Sequence, residues 1–233
     1  FDLNNNLNTE ESNFSHVLVF DFGAGTCDIS LLKITKRKQH AERPRTRRAL
    51  KISNISLSSF SALGGDDLDR LIASKIIFPQ LCSQNDFESN SVSKPDYHEY
   101  FELTLVSMAE KLKIAASQKL STSPGLKNSE TQISLSEPMV VNYKEKELIL
   151  ENPLISYMEF DECVQSFLDE FEELEYKNIW DRINPFSSPG KMTIYDLLKD
   201  TLDKADLCED DIDYLLFIGG SSKLPQIGEA LEE

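Results

Sequence analysis

The chain has 233 residues, 40% of them hydrophobic, with 40 acidic against 24 basic residues and a formal net charge of -16. A chain of this size buries a full core, in one domain or two small ones. Its acidic balance argues against nucleic-acid binding over the general surface, and no stretch approaches the roughly 18 uncharged apolar residues that a membrane helix requires.

The polar start, Phe1 to Asn13, lacks the apolar core of a signal peptide, so a cytoplasmic protein is expected. His16 to Phe20 and Asp28 to Ile34 are β-rich apolar runs on either side of a glycine turn and predict a hairpin. Lys33 to Lys51 holds nine of the 24 basic residues. With no aromatic residues interleaved for base stacking, it reads as a solvated hairpin loop and not as a nucleic-acid patch. Ile52 to Leu57 alternates as a third strand. Asp66 to Leu81 has Leu68, Leu71, Ile72 and Ile76 at helical spacing, with Asp66 as its expected cap.

Cys82 to Pro95 is rich in Ser and Asn and reads as a loop. Phe101, Leu105, Met108, Leu112 and Ala115 then mark a long helix over Tyr97 to Leu120. Strands are expected around Thr131 to Leu135, Met139 to Tyr143 and Glu147 to Leu150. Tyr157 to about Glu175 predicts a second amphipathic helix with an acidic face, Ile183 to Lys191 a loop, and Thr193 to Ala205 a further helix. Tyr214 to Ile218 predicts a buried strand, and Pro225 starts a closing helix. The four cysteines, Cys27, Cys82, Cys163 and Cys208, never form a C-x-x-C pair, and the three histidines are scattered. Free thiols are expected, with neither a zinc site nor a disulfide framework.

The order β-β-β-α, an inserted block, then α-β-α predicts an α/β fold: a ribonuclease-H-like mixed sheet carrying an inserted α+β subdomain. Residues 1–81 and 184–233 would form the sheet unit, and 82–183 the insert.

Three glycine-centred turns carry the chemistry, at Gly23-Ala24-Gly25, Gly64-Gly65 and Gly219-Gly220. Such turns expose N–H groups to phosphate or sugar oxygens, and three in one chain point to a nucleotide cleft. Asp21, at a strand end, can hold a hydrated Mg²⁺ through one or two oxygens. Gly23 and Gly25 let the Ala24 to Thr26 backbone and the Thr26 hydroxyl face a phosphate. Asp21-Phe22-Gly23 also spells the metal triplet of protein kinases, but there is no H-R-D loop and no glycine-rich first hairpin with its lysine. The P-loop and dinucleotide spacings are absent as well.

Four motifs together resemble the heat-shock protein 70 (DnaK-type) chaperone branch of the actin and sugar kinase superfamily. They are the hairpin Val17 to Leu32; Leu63-Gly64-Gly65-Asp66-Asp67-x-Asp69; Glu110, Lys113 and Ser117 as E-x-x-K-x-x-x-S; and Ile218-Gly219-Gly220-Ser221-Ser222-Lys223-x-Pro225. Their order and spacing cover nearly the whole chain.

The resemblance implies the second lobe of an ATPase domain binding ATP or ADP with Mg²⁺. Asp21, Gly23, Gly25 and Thr26 would face the β- and γ-phosphates and the metal shell, and Asp28 would orient metal-bound water. Gly64, Gly65, Glu110, Lys113 and Ser117 would hold ribose and adenine, with Gly219, Gly220 and Ser221 on the α-phosphate side. Partners implied are unfolded-peptide clients of a full-length parent, a nucleotide-exchange factor gripping the insert, and a J-domain co-chaperone.

Three departures from the family pattern stand out: Ala24 for a glycine, tolerable if φ there is negative and costly if it is positive, and Ile114 for an arginine that stacks on adenine and Lys223 for an arginine flanking the base, which are expected to weaken adenine binding. Nothing matches the family's first lobe with its D-[LF]-G-T-T motif and catalytic lysine, so this chain alone is expected not to turn over ATP. A degenerate nucleotide-binding scaffold and an actin-like filament protein are the competing expectations.

Overall fold

The computed structural model describes residues 14–36, 50–60, 64–127, 129–168 and 193–232. The arginine-rich part of the basic loop, Leu63, the last part of the expected acidic helix from Asp169 to Glu175, the loop at 183–191 and the expected domain boundary at 184 lie outside these residues.

β1 (Phe14–Phe22), β2 (Cys27–Lys36) and β3 (Leu50–Phe60) form an antiparallel meander. β8 (Tyr214–Ile218) joins β1 in parallel, giving a mixed sheet in the order β3-β2-β1-β8. β1 is central and carries Val17, Leu18, Phe20 and Phe22, all buried. β8 departs from the fully buried strand expected from its composition: its residues are half-buried, and Ile218 is 41% exposed. It pairs with β1 on one side and is the last strand of the sheet on the other.

After β3 the chain enters α1 (Gly65–Ile72), a π-helical stretch (Ala73–Ile77) and α2 (Phe78–Gln84), stacked end to end. The expected cap at Asp66 is not used. The Gly64 N–H instead donates to the Asp67 carboxylate at 2.9 Å, and Asp66 and Asp67 both sit in the first turn, where the helix dipole favours negative charge. The helix also runs through the start of the expected 82–95 loop, ending at Gln84.

α3 (Lys94–Asp96) and a second π stretch (Tyr97–Phe101) lead into α4 (Glu102–Thr122). Its buried stripe is Leu105, Met108, Leu112, Ala116 and Leu120, so the inward position is Ala116, and Ala115 is only half-buried. The one-residue offset follows from 3.6 residues per turn, which a strict four-three alternation drifts away from over several turns.

The strands of the inserted block are β4 (Gln132–Ser134), β5 (Met139–Tyr143), β6 (Lys146–Leu150) and β7 (Leu154–Ser156), pairing as β5-β6 and β4-β7. β7 was not expected from its three-residue length. It pairs with β4, and side-chain amides in α2 and just after it bond β7 and the chain before it. The Gln80 amide bonds both the Leu154 carbonyl (2.7 Å) and N–H (3.2 Å). Gln84 and Asn85 do the same for Glu151 and Ile149. These amides satisfy backbone groups as a neighbouring strand would.

α5 (Tyr157–Leu168) and α6 (Ile194–Ala205) follow. In α6, Thr193 and Asp196 form a reciprocal cap, and the helix packs on β3, where Ser56 donates to the Thr201 carbonyl at 2.8 Å. α7 (Pro225–Glu232) closes the described chain. A single apolar cluster joins Phe20 and Phe22 of β1, Leu68 of α1, Leu112 of α4, Leu150 of β6 and Phe160 of α5. The expected boundary at 81/82 falls within α2, where Leu81 is fully buried in this cluster.

Among the described residues, no helix is long and apolar enough to cross a membrane. Cys27, Cys82 and Cys163 are buried thiols in no disulfide, each pushed up to about 12 chiefly by burial. Cys208 is exposed.

Candidate functional site: a cleft where three glycine turns meet

The β1–β2 hairpin closes with the Gly23 N–H donating to the Thr26 carbonyl at 3.0 Å. The second turn docks directly on it: the Gly65 N–H reaches the Gly23 carbonyl at 2.9 Å, and the Asp66 N–H reaches the Ala24 carbonyl at 2.6 Å. A Cβ on Gly64 would stand 2.3 Å from the Ala24 carbonyl oxygen, so only glycine permits this approach. The third turn closes from the β8 side. Gly219, at φ +90°, leaves room for the Phe22 carbonyl and Asp21 Oδ1, and a Cβ on Gly65 would stand 2.1 Å from the Ser221 hydroxyl oxygen.

The glycine requirement is therefore close approach at Gly64 and Gly65, and positive φ at Gly219. Ala24 is not among the positive-φ residues, which among the described non-glycines are Asp86, Lys144, Asn152 and Asp206. Alanine there carries no backbone penalty, and a β-carbon on Gly25 or Gly220 would meet nothing within 4 Å.

Beside this junction, between α4 and the turn after β8, opens a cleft of about 700 Å³. Seven of the expected residues line it: Ala24, Glu110, Lys113, Ser117, Gly220, Ser221 and Lys223. Gly23, Gly25, Thr26, Gly64, Gly65, Gly219, Asp21 and Asp28 do not line it. They belong to the three turns and to the strand ends that lead into them.

Ile114, 46% exposed, stands on the lining, and so do Asp66, Gln118, Ser121, Thr122 and Leu224, which sequence reasoning missed. The signal for Gln118 and Ser121 was present, because they follow Glu110, Ile114 and Ser117 at helical spacing on one face of α4. Leu224, 3% exposed, comes from the turn before α7 and had no such signal.

Lys113 is buried, and its ammonium is already engaged. It bonds the Asp69 carboxylate at 2.6 Å and the Gly65 carbonyl at 3.2 Å. Asp69, 3% exposed, has its carboxyl pushed up to about 6. Burial is the leading cause, outweighing the attraction of Lys113, with Glu110 and Asp66 adding repulsion. Among the described residues Asp69 Oδ1 is buried without a hydrogen-bond partner.

The fit of a metal follows from the donor set. Asp21 and Asp28 are direct partners across the β1–β2 ladder, and the Thr26 hydroxyl donates to Asp28 at 2.9 Å. Two like charges facing one another across a strand pair favour a cation nearby. Among the described residues no group of three or more His, Cys, Asp or Glu side chains could hold a metal ion. Asp21 and Asp28 are the carboxylates at this turn that could supply the one or two protein oxygens a hydrated Mg²⁺ takes. No family model matches the chain.

Proposed function

We propose that the chain is the second lobe of a heat-shock protein 70-type ATPase domain, on a ribonuclease-H-like sheet, and that its cleft holds ATP or ADP with Mg²⁺. The observation that supports this reading is the convergence of three sequence-distant glycine turns beside the face of α4 that carries Glu110 and Ser117. The cleft volume lies within the roughly 300–1,000 Å³ of small-molecule sites.

Glu110 accepts ribose hydroxyls and Ser117 faces the base. The Gly219 to Ser221 turn receives the phosphate side, and Gly23 to Thr26 with Asp21 and Asp28 face the terminal phosphates. Mg²⁺, when bound, supplies neutralisation of phosphate charge. With a first lobe and a peptide-binding domain, the nucleotide state would govern peptide clients, with a J-domain co-chaperone and an exchange factor acting on the cycle in the cytoplasm.

Calorimetry with MgADP tests the reading. Binding in the high micromolar range or weaker, no more than roughly 6 kcal/mol, is expected for this lobe, and Glu110→Ala and Ser117→Ala abolish it. Failure of MgADP to bind the native chain at all, or sub-micromolar affinity, overturns it. A second reading, a nucleotide-binding scaffold with little hydrolysis, is favoured by the exposed Ile114 at the adenine side. Turnover with a first lobe supplied in trans distinguishes the two.

A further inference from the structure

We propose that Asp69 is a positioning residue of the cleft: it holds the Lys113 ammonium on the Gly65 carbonyl, so that Lys113 ties α4 to the glycine turns and does not itself bind ligand. The affinity arm of the argument rests on the nucleotide reading. The tether itself does not.

Both side chains are deeply buried, 11% exposed for Lys113 and 4% for Asp69. An ammonium has three donors, and here two of them go to Asp69 and Gly65. Gly65 in turn donates to Gly23 at 2.9 Å. One chain of contacts thus joins α4, the second turn and the hairpin beside the cleft. Among the described residues Asp69 Oδ1 has no hydrogen-bond partner, and the carboxylate's side-chain bond is the one from Lys113 to Oδ2. The other charged groups acting on it, Glu110 and Asp66, are both repulsive. Removing Lys113 leaves a buried carboxylate uncompensated, and removing Asp69 frees the ammonium from its anchor.

The reading in which Lys113 contacts the ligand makes the opposite forecast. A released ammonium beside the cleft would attract an anionic nucleotide, and Asp69→Asn would tighten binding.

The test uses Asp69→Asn, Lys113→Met and the double variant of the full chain. Carbon-13 NMR of the Asp69 carboxyl without ligand should show a midpoint near 6 that rises further in Lys113→Met. The protection factor of the Gly65 amide, its exchange relative to the intrinsic rate at the same pH, should fall in Asp69→Asn, and also in the native chain as pH falls through that midpoint, which keeps a readout if a variant fails to fold.

MgADP affinity should fall roughly tenfold in each single variant and no further in the double, because both remove one unit. The ratio of native to Asp69→Asn affinity should approach one as pH drops from about 7.5 to about 5, a change that a purely structural role would not produce. An unperturbed Asp69 titration with unchanged Gly65 exchange overturns the tether, and so does tighter binding in Asp69→Asn or additive losses in the double variant. If the native chain binds no MgADP, the nucleotide reading fails, and the NMR arm alone decides the tether.

Discussion

Gly219 and Asp21 stand so close that a Cβ on the glycine would lie 2.7 Å from Asp21 Oδ1 and 2.5 Å from the Phe22 carbonyl oxygen, at a backbone φ of +90°. Space and conformation both demand glycine. Gly219→Ala is expected to destabilise the chain by about 1–2 kcal/mol from backbone strain alone, with a further loss from the clash. Gly220→Ala, where a Cβ meets nothing within 4 Å, should be nearly neutral. Urea unfolding of both variants checks this, and equal losses would mean that the turn is not held as described.

Gly64 and Gly65 should differ in the same experiment. A Cβ on Gly64 meets backbone of Ala24 and Gly25, which cannot yield without moving the hairpin, whereas the closest obstacle at Gly65 is the Ser221 hydroxyl. Gly64→Ala is expected to be the more destabilising. Ser221→Ala should partly restore Gly65→Ala and do nothing for Gly64→Ala. Thermal melts of the four variants give the answer.

Asp69 predicts a pH dependence of definite sign. Its carboxyl is raised to about 6 in the folded chain, against about 3.9 for an unperturbed aspartate. The folded state therefore holds the proton more tightly than the unfolded chain. The contribution to stability is full below about pH 4 and is lost as pH rises through about 6. Native stability measured relative to Asp69→Asn should fall over that window, and a rise would show that Lys113 outweighs burial.

Asp21→Asn should leave folding intact and remove the effect of Mg²⁺ on ADP affinity, because the side chain lies at the strand end beside the hairpin. Paired titrations with magnesium and with a chelator test this, and a preserved magnesium effect would remove Asp21 from the metal shell.

Ile114 lines the cleft and is 46% exposed, leaving space for a longer side chain. Ile114→Arg is expected to add a stacking contact of roughly 0.5–2 kcal/mol with adenine, a gain of about 2- to 30-fold in ADP affinity. The gain should be absent for inorganic pyrophosphate, which has no base. A gain for both ligands would indicate general charge attraction.

The sequence by itself determined what local chemistry dictates: the hairpin around Gly23, the long α4 with its apolar stripe, the capped α6, and the strand feeding Gly219. Alternation, helical spacing and glycine punctuation are short-range signals, and the expected α/β order with a mixed sheet followed from them. Tertiary structure decided the rest. The three turns meet because β8 adds in parallel to β1, which brings Gly219 beside Asp21 from about 200 positions away in the chain. β7 pairs with β4 and is bonded by the Gln80 amide of α2, contacts with no local signature. Lys113, which the resemblance implies as a ligand contact, lies in a buried pair with Asp69, a partner from another element that helical spacing alone does not reveal.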